Sequence, residues 1–222
     1  MKQYDWKYQQ KANKDLFLED AEYAKKKNTL MKIQQSFDTQ EIEWALCCSS
    51  NLFFRGITDG FDDYDILVTE KDAKKAKEIM ENLGGTLKAI EYEDKNRANK
   101  CCRSNIYMKF YLDEVQIEII SGFRVLTFET NYLYELAMSQ IERESLDEFT
   151  IPLLATEVQL ILYAMMEGWQ PQRRLKRLLI ENFLEDNDNN FFYVLEQAIK
   201  NPSIPAWIKQ RIRKFVKKGS FE

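Results

Sequence analysis

Trp44-Ala45-Leu46-Cys47-Cys48-Ser49-Ser50-Asn51-Leu52-Phe53-Phe54-Arg55-Gly56, followed after a short gap by Asp63-Tyr64-Asp65-Ile66-Leu67-Val68, is the stretch whose reading decides the fold. Glu43 to Cys48 is mostly apolar and stops at Ser49-Ser50, the pattern of a short buried strand. Ser49 then reads as the cap of a short helix over Asn51 to Arg55, which Gly56 ends. Thr58-Asp59-Gly60-Phe61-Asp62 is turn chemistry, and it leads into a second apolar strand from Tyr64 to Val68. In an extended chain residues i and i+2 point the same way, so the carboxylates of Asp63 and Asp65 project together. Two such charges repel unless something neutralises them. Hard oxygen ligands suit Mg²⁺ (or Mn²⁺), an ion that keeps part of its water and shares itself with substrate phosphates.

A third acid follows downstream. Ile106 to Tyr111 and Val115 to Ile120 read as a hairpin, with Leu112-Asp113-Glu114 as the connection. Alternation puts Glu118 on the face opposite its isoleucine neighbours, where a carboxylate is costly without a partner. Laid beside the Asp63–Asp65 strand, it brings three carboxylates to one sheet edge. That arrangement suits two metal ions roughly 3.5–4 Å apart, clamping the attacking and leaving oxygens of a phosphoryl transfer.

Outward from this centre, the spacing predicts one or two amphipathic helices between Ala12 and Gln35 and a helix over Lys71 to Leu83 stopped by Gly84-Gly85. Leu87 to Tyr92 reads as a strand, with a polar loop running through Lys100. Phe123 to Phe128 and Ile151 to Leu154 add extended pieces. From Thr156 the character changes: Thr156-Glu157-Val158-Gln159 fits a capping box opening a helix to Gly168. Further helices are expected from Pro171, from Phe191 and from Pro205. The expectation is an α+β fold, a mixed sheet with flanking helices and a helical C-terminal part. Its divisions are an N-terminal helical arm at 1–40, an α+β core at 41–155 and a C-terminal helical region at 156–222.

Composition excludes several classes. With 222 residues, 45% hydrophobic and 31% charged, the chain builds a real core and a solvated surface. It has no run of the ~18–20 apolar residues that a spanning helix needs, and its first residues are polar; no membrane association and a cytoplasmic location are the expectations. The net charge of −4 offers no global footprint for nucleic acid, which is not favoured as a partner. There is no histidine, so catalysis by a Ser-His-Asp or Cys-His relay, or by histidine-ligated zinc, is ruled out. The cysteine pairs Cys47-Cys48 and Cys101-Cys102 lack zinc-ribbon spacing and read as free thiols.

Taken together, the apolar strand, the Cys48-Ser49 turn, the short helix and the Asp63/Asp65 pair opening the next strand resemble the nucleotidyltransferase superfamily, the polymerase-beta-like fold. The resemblance covers roughly Glu41 to Gly122. Ile151 to Glu157, placed before a helix, is similar to the region after the core in small antibiotic-modifying and toxin-like members. It implies that Asp63, Asp65 and Glu118 are metal ligands and catalytic residues, and that Ser49 and Ser50 contact the nucleotide's phosphates. The implied reaction moves AMP from ATP onto a hydroxyl acceptor, with Mg²⁺ (or Mn²⁺) as cofactor. Two positions depart from the family pattern. Cys48 stands where the family has glycine, which either crowds a phosphate or shifts the turn by one residue. Glu118 stands for the usual Asp, one methylene longer.

Blander readings stand beside these. Asp63 and Asp65 also fit exposed loop acids, Ser49 a plain helix cap, and Glu118 a charge guarding a strand edge. Arg173, Arg174 and Arg177, in a basic run on a helix, are read both as a solvated face and as phosphate contacts. An inactive member that keeps the fold as a nucleotide-binding or interaction module is the alternative function. A homo-oligomer is compatible with the chain.

Overall fold

The computed structural model describes residues 5–92, 102–126, 133–135, 140–147, 149–186, 192–202 and 204–219. In chain order the elements are α1 (Trp6–Glu19), α2 (Ala24–Thr39), β1 (Trp44–Cys47), α3 (Cys48–Phe54), β2 (Tyr64–Val68), α4 (Glu70–Asn82), β3 (Thr86–Tyr92), β4 (Cys102–Arg103) and β5 (Ile106–Leu112). They continue with β6 (Val115–Ser121), β7 (Arg124–Leu126), β8 (Leu133–Glu135), β9 (Ile141–Leu146), β10 (Phe149–Leu154), α5 (Thr156–Glu167), α6 (Arg174–Asp186), α7 (Phe192–Lys200) and α8 (Ala206–Gly219). The architecture is α+β, as the sequence predicts. The loop expected through Lys100 lies outside the described residues beyond Tyr92, as do Thr127 and Phe128.

Two packing units divide the chain: Met1–Asp94, Ser104–Gly122 and Ile141–Leu154 form the first, and Lys95–Arg103, Phe123–Gln140 and Ala155–Glu222 the second. The first is built on a mixed seven-stranded sheet in the order β3-β5-β6-β2-β1-β10-β9. β2 runs parallel to β6 and antiparallel to β1, while β1 meets β10 in parallel at Leu46 and Leu153. A strand covered on both faces reads as a continuous apolar run, and β1 is buried throughout. α1 and α2 supply core side chains to this sheet: Phe17, Leu30, Ile33 and Phe37 are fully buried together with Leu46, Tyr64, Ile66, Phe110 and Ile117.

Local chemistry fixes the connections. Asp113 and Glu114 both have positive φ, 51° and 69°, the backbone of a two-residue turn whose twist matches its strands. Leu112 therefore pairs with Val115, and the connection is two residues, not the three expected. Lys32 holds Asp113 at 2.6 Å, and Lys25 binds Glu114, so the hairpin tip is tied to α2. Gly56 has φ +72°, and a Cβ there would lie 2.5 Å from the Gln10 amide nitrogen; glycine lets α1 approach the end of α3. Asn13, buried in α1, donates to the carbonyls of Phe53 and Thr58 at 2.7 and 2.8 Å. Asn51, also buried, donates to Leu46 and Leu154 at 3.0 and 2.8 Å, joining the ends of β1 and β10.

Two capping expectations are corrected. α3 begins at Cys48 with Cys47 as its cap residue and no side-chain cap bond, so Ser49 lies inside the first turn and does not cap it. α5 is capped at Ala155, not by a Thr156 box. The reason is that the Ala155 amide is taken by the Gln140 carbonyl at 2.8 Å, and the chain is already turning there. Gln159, the far member of the expected box, is fully buried.

The second unit holds a three-stranded sheet, β4-β7-β8, and the helices α5 to α8. A short 3-10 turn over Pro171–Arg173 leads into α6, consistent with proline opening a helix. No described helix is long and apolar enough to cross a membrane.

Candidate functional site

Strand register places the predicted acids. Asp65 on β2 is the parallel partner of Glu118 on β6 and the antiparallel partner of Cys47 on β1. Glu118 in turn faces Lys109 on β5. Directly paired residues share a sheet face, so one row across the sheet reads Cys47, Asp65, Glu118, Lys109. The row beside it carries Gln116 opposite Tyr111, and Asp63 is one alternation before Asp65. All three predicted carboxylates thus project from the same face on adjacent rows.

The spacing between them is filled by protein donors. The Gln116 side-chain amide donates to Asp63 Oδ2 at 2.8 Å and to Glu118 Oε1 at 3.0 Å. Its own carbonyl oxygen accepts from the Tyr111 hydroxyl at 3.0 Å. Lys109 Nζ stands 3.9 Å from Glu118 Oε1 and 6.0 Å from the centre of the Tyr111 ring. Tyr107 hydrogen-bonds Glu118; burial first, then that bond and the Glu118 charge, hold its phenol well above the ordinary range. Among the described residues, no three His, Cys, Asp or Glu side chains are drawn close enough to enclose a metal ion. In kind and position, however, the carboxylates are an all-oxygen set on one face, which fits a hard divalent cation. Lys109 supplies an opposite charge to Glu118, and Gln116 and Tyr107 supply hydrogen-bond donors.

Asp63 is further positioned from behind. Lys26 of α2 lies over the rings of Phe61 and Tyr23, 4.4 and 5.3 Å from their centres, and donates to the Phe61 carbonyl. The Tyr64 hydroxyl donates back to the Lys26 carbonyl at 3.0 Å. Burial lowers the Lys26 pKa, while the nearby charges of Asp62 and Asp63 oppose that. The turn that presents Asp63 is therefore clamped to α2 on both sides.

The chain leaves β1 at the Asp65 row and turns at Cys48, whose φ is +54°. A left-handed backbone is the conformation glycine adopts freely and other residues adopt at a cost of about 1–2 kcal/mol. Cys48 thus occupies a glycine-type turn position. Replacing Cys48 with Gly is expected to raise stability by about 0.5–1 kcal/mol, the relieved strain less glycine's extra chain entropy. The urea midpoint reads it. The neighbouring Cys47 thiol is held well above its usual pKa by its hydrogen bond to Cys48, by burial, and by the charges of Cys48, Asp65 and Glu118. It is a neutral packing group beside Asp65 on the same row.

Of the other predicted residues, Ser49 is half-buried at the turn, whereas Ser50 is fully buried and donates to the Cys47 carbonyl at 3.2 Å. Arg173, Arg174 and Arg177 belong to the second unit. Arg173 Nε donates to Gln170 at 3.0 Å, and its guanidinium lies 5.9 Å from the Tyr163 ring centre. Arg174 is largely exposed. Arg177 is fully buried and bonds both Glu167 and Glu181.

Sequence reading missed Gln116, Lys109 and Tyr107. Their signal was present in the alternation of β5 and β6, but only the two-residue turn assigns Lys109 to the Glu118 row.

No family model matches the sequence, and no curated protein matches it either. Solved structures do match in fold. A Thermotoga maritima chain, TM1012, provisionally described as a nucleotidyltransferase, superposes with a TM-score of 0.55 at 16% identity, over 69% of this chain and 92% of that one. The antibiotic-resistance factor ANT(2″)-Ia superposes with a TM-score of 0.51 at 10% identity, over 86% of this chain and 88% of that one. Identities this low speak to fold alone. The chain has a nucleotidyltransferase fold, resembling that of an antibiotic-modifying enzyme.

Proposed function

We propose that this chain is a metal-dependent nucleotidyltransferase that moves AMP from ATP onto a hydroxyl group of a small acceptor. The observation that carries the reading is the row on which Asp65 and Glu118 are direct parallel neighbours. Asp63 joins them on the same face of a nucleotidyltransferase-type sheet.

Asp63, Asp65 and Glu118 are the residues that would hold Mg²⁺ or Mn²⁺. When bound, such an ion withdraws charge from the triphosphate and makes the acceptor hydroxyl easier to deprotonate. The acceptor oxygen bonds to the α-phosphorus as the bond to the bridging oxygen breaks, and pyrophosphate leaves with that electron pair. Glu118 receives the hydroxyl proton, a role supported by its place on the same row as Asp65. Ser49 and the amides of its turn hold phosphate oxygens. Arg173 and Arg174 carry guanidinium groups of the kind that bind phosphate; Arg177 is committed to Glu167 and Glu181. No histidine is needed in this scheme.

The test is an assay with each nucleoside triphosphate, Mg²⁺ or Mn²⁺, and a panel of hydroxylated small molecules. Pyrophosphate release is expected with ATP, and only when both metal and acceptor are present. Silence with every acceptor, joined to an absence of metal-dependent ATP binding, would reject the reading. Binding without turnover would instead identify a nucleotide-binding module that has lost catalysis.

A further inference from the structure

The net charge of −4 conceals an uneven division. By sequence the first unit holds 16 Lys and Arg against 26 Asp and Glu, a charge of −10; the second holds 16 against 10, a charge of +6. The excess gathers on α8, whose 14 residues include six Lys and Arg and no acid. We propose that α8 is a docking surface for single-stranded RNA, with Lys209 and Arg213 on the phosphates and the Arg211–Trp207 stack beneath a base. The proposal stands apart from the transfer reaction and is tested without it.

Helical spacing sorts the side chains of α8 into three stripes. Ile208, Ile212 and Phe215 are buried where α8 packs on α7 and α5. Lys209 and Arg213, four residues apart, share a second stripe; Trp207 and Arg211, also four apart, share a third. Arg211 and Arg213 are exposed, Lys209 and Trp207 half-buried. Lys214 is committed to Glu185 and Glu181, at 2.7 and 3.3 Å. Among the described residues no carboxylate forms an ion pair with Lys209, Arg211 or Arg213. Of the acids on the helices packed against α8, Glu157 is buried, Glu167 bonds Arg177, and Glu196 is half-buried and pairs with none of the three. The helix dipole favours cations in a last turn, but Lys209 stands in the first, where the dipole opposes it.

Two observations favour single-stranded RNA over other polyanions. The Arg211 guanidinium lies 5.6 Å from the centre of the Trp207 ring. A planar cation backed by an indole offers a flat surface to an unstacked base, the kind that RNA loops and single strands present and a duplex keeps inside. An anionic membrane, by contrast, binds an amphipathic helix through an apolar face sunk between its headgroups. On α8 that face is already occupied by the packing of Ile208, Ile212 and Phe215.

The test is fluorescence anisotropy of the full chain with a short, labelled single-stranded RNA of mixed sequence, at several salt concentrations. Three phosphate-facing cations predict a slope of about −2 for log K against log salt, a loss of roughly 20-fold between ~50 and ~200 mM. Replacing Lys209, Arg211 and Arg213 together by Gln is expected to weaken binding at least tenfold and flatten the slope. Replacing Lys11, Lys71 and Lys74, exposed lysines of the first unit, by Gln is expected to leave binding as it was. Arg211→Lys keeps the charge and loses the planar stack, so it should weaken RNA binding several-fold while leaving binding of inorganic polyphosphate unchanged. Should the triple variant fail to melt cooperatively, Lys209→Gln and Arg213→Gln are judged singly, each expected to reduce the slope by about 0.7. The proposal is overturned if the wild type does not bind the RNA, or if the α8 variants bind it as the wild type does. Polyphosphate or phosphatidylserine vesicles bound as tightly as RNA would overturn it too, as would copies of the chain associating through their oppositely charged units in place of RNA binding.

Discussion

Asp65→Asn is expected to lower pyrophosphate release by a factor of about 10²–10³ or more, while leaving the free protein at least as stable as before. The two effects have opposite signs for one reason. Asp65 and Glu118 are paired directly across β2 and β6, and like charges placed so repel, a repulsion that the Lys109 ammonium beside Glu118 reduces without removing. Asparagine keeps the shape and removes one charge, so that repulsion falls. The same change removes an anionic oxygen from the set that would hold the ion. A thermal melt should therefore show an unchanged or slightly raised midpoint without ligand, and no rise on adding Mg²⁺ and ATP. The wild type should show a rise, because a ligand that binds only the folded state stabilises it. A variant that retained the full ligand-induced rise would show that Asp65 is not part of the metal site.

The second large effect is one of stability. Arg177→Ala should cost about 3–5 kcal/mol in the second unit. The guanidinium is fully buried between Glu167 on α5 and Glu181 on α6. Burial alone would lower its pKa, yet hydrogen bonds to both acids and their charges lift it above the ordinary value. Removing it strands two carboxylates in poorly solvated positions. Lys214, 3.3 Å from Glu181, compensates for one of them in part. Hydrogen exchange at the amides of α5 and α6 is the fitting readout, and faster exchange should be concentrated there. A loss below about 1 kcal/mol would mean the cluster contributes little, as exposed ion pairs commonly do.

Much of this was written in the sequence. The strand at Tyr64 to Val68, the buried strand before it and the stop at Gly56 follow from short-range pattern, because apolar runs and turn residues act locally. The convergence of Asp63, Asp65 and Glu118 onto one face also follows from period-two alternation once β2 and β6 are neighbours. The neutralising donors were not legible. A three-residue connection at the hairpin would have paired Glu118 with Met108, whereas the two-residue turn pairs it with Lys109. One residue of loop length thus decides which side chain meets the acid. Caps were misread for a similar reason: Ser49 and Thr156 are good capping types, yet the preceding strands end one residue too early to leave them that place. Burial of Arg177 was hidden because a basic run on a helix looks solvated until its partner Glu167 on α5 is known.

The pairing of β1 with β10 has a consequence for synthesis. β1 is complete by residue 47, but the strand that covers its outer edge, and the Leu154 carbonyl that Asn51 binds, come about a hundred residues later. On a ribosome adding ~5–20 residues per second, the nascent chain would carry a central strand unpaired along one edge for several seconds. The half of the sheet bearing Asp65 and Glu118 can pair in that interval; the β1 edge cannot. Contacts this distant in sequence slow folding. The exposed edge is also a template for pairing with another chain. A truncation ending before Phe149 should therefore aggregate rather than yield a smaller working transferase, and the late strand sets the moment at which the chain becomes safe to release.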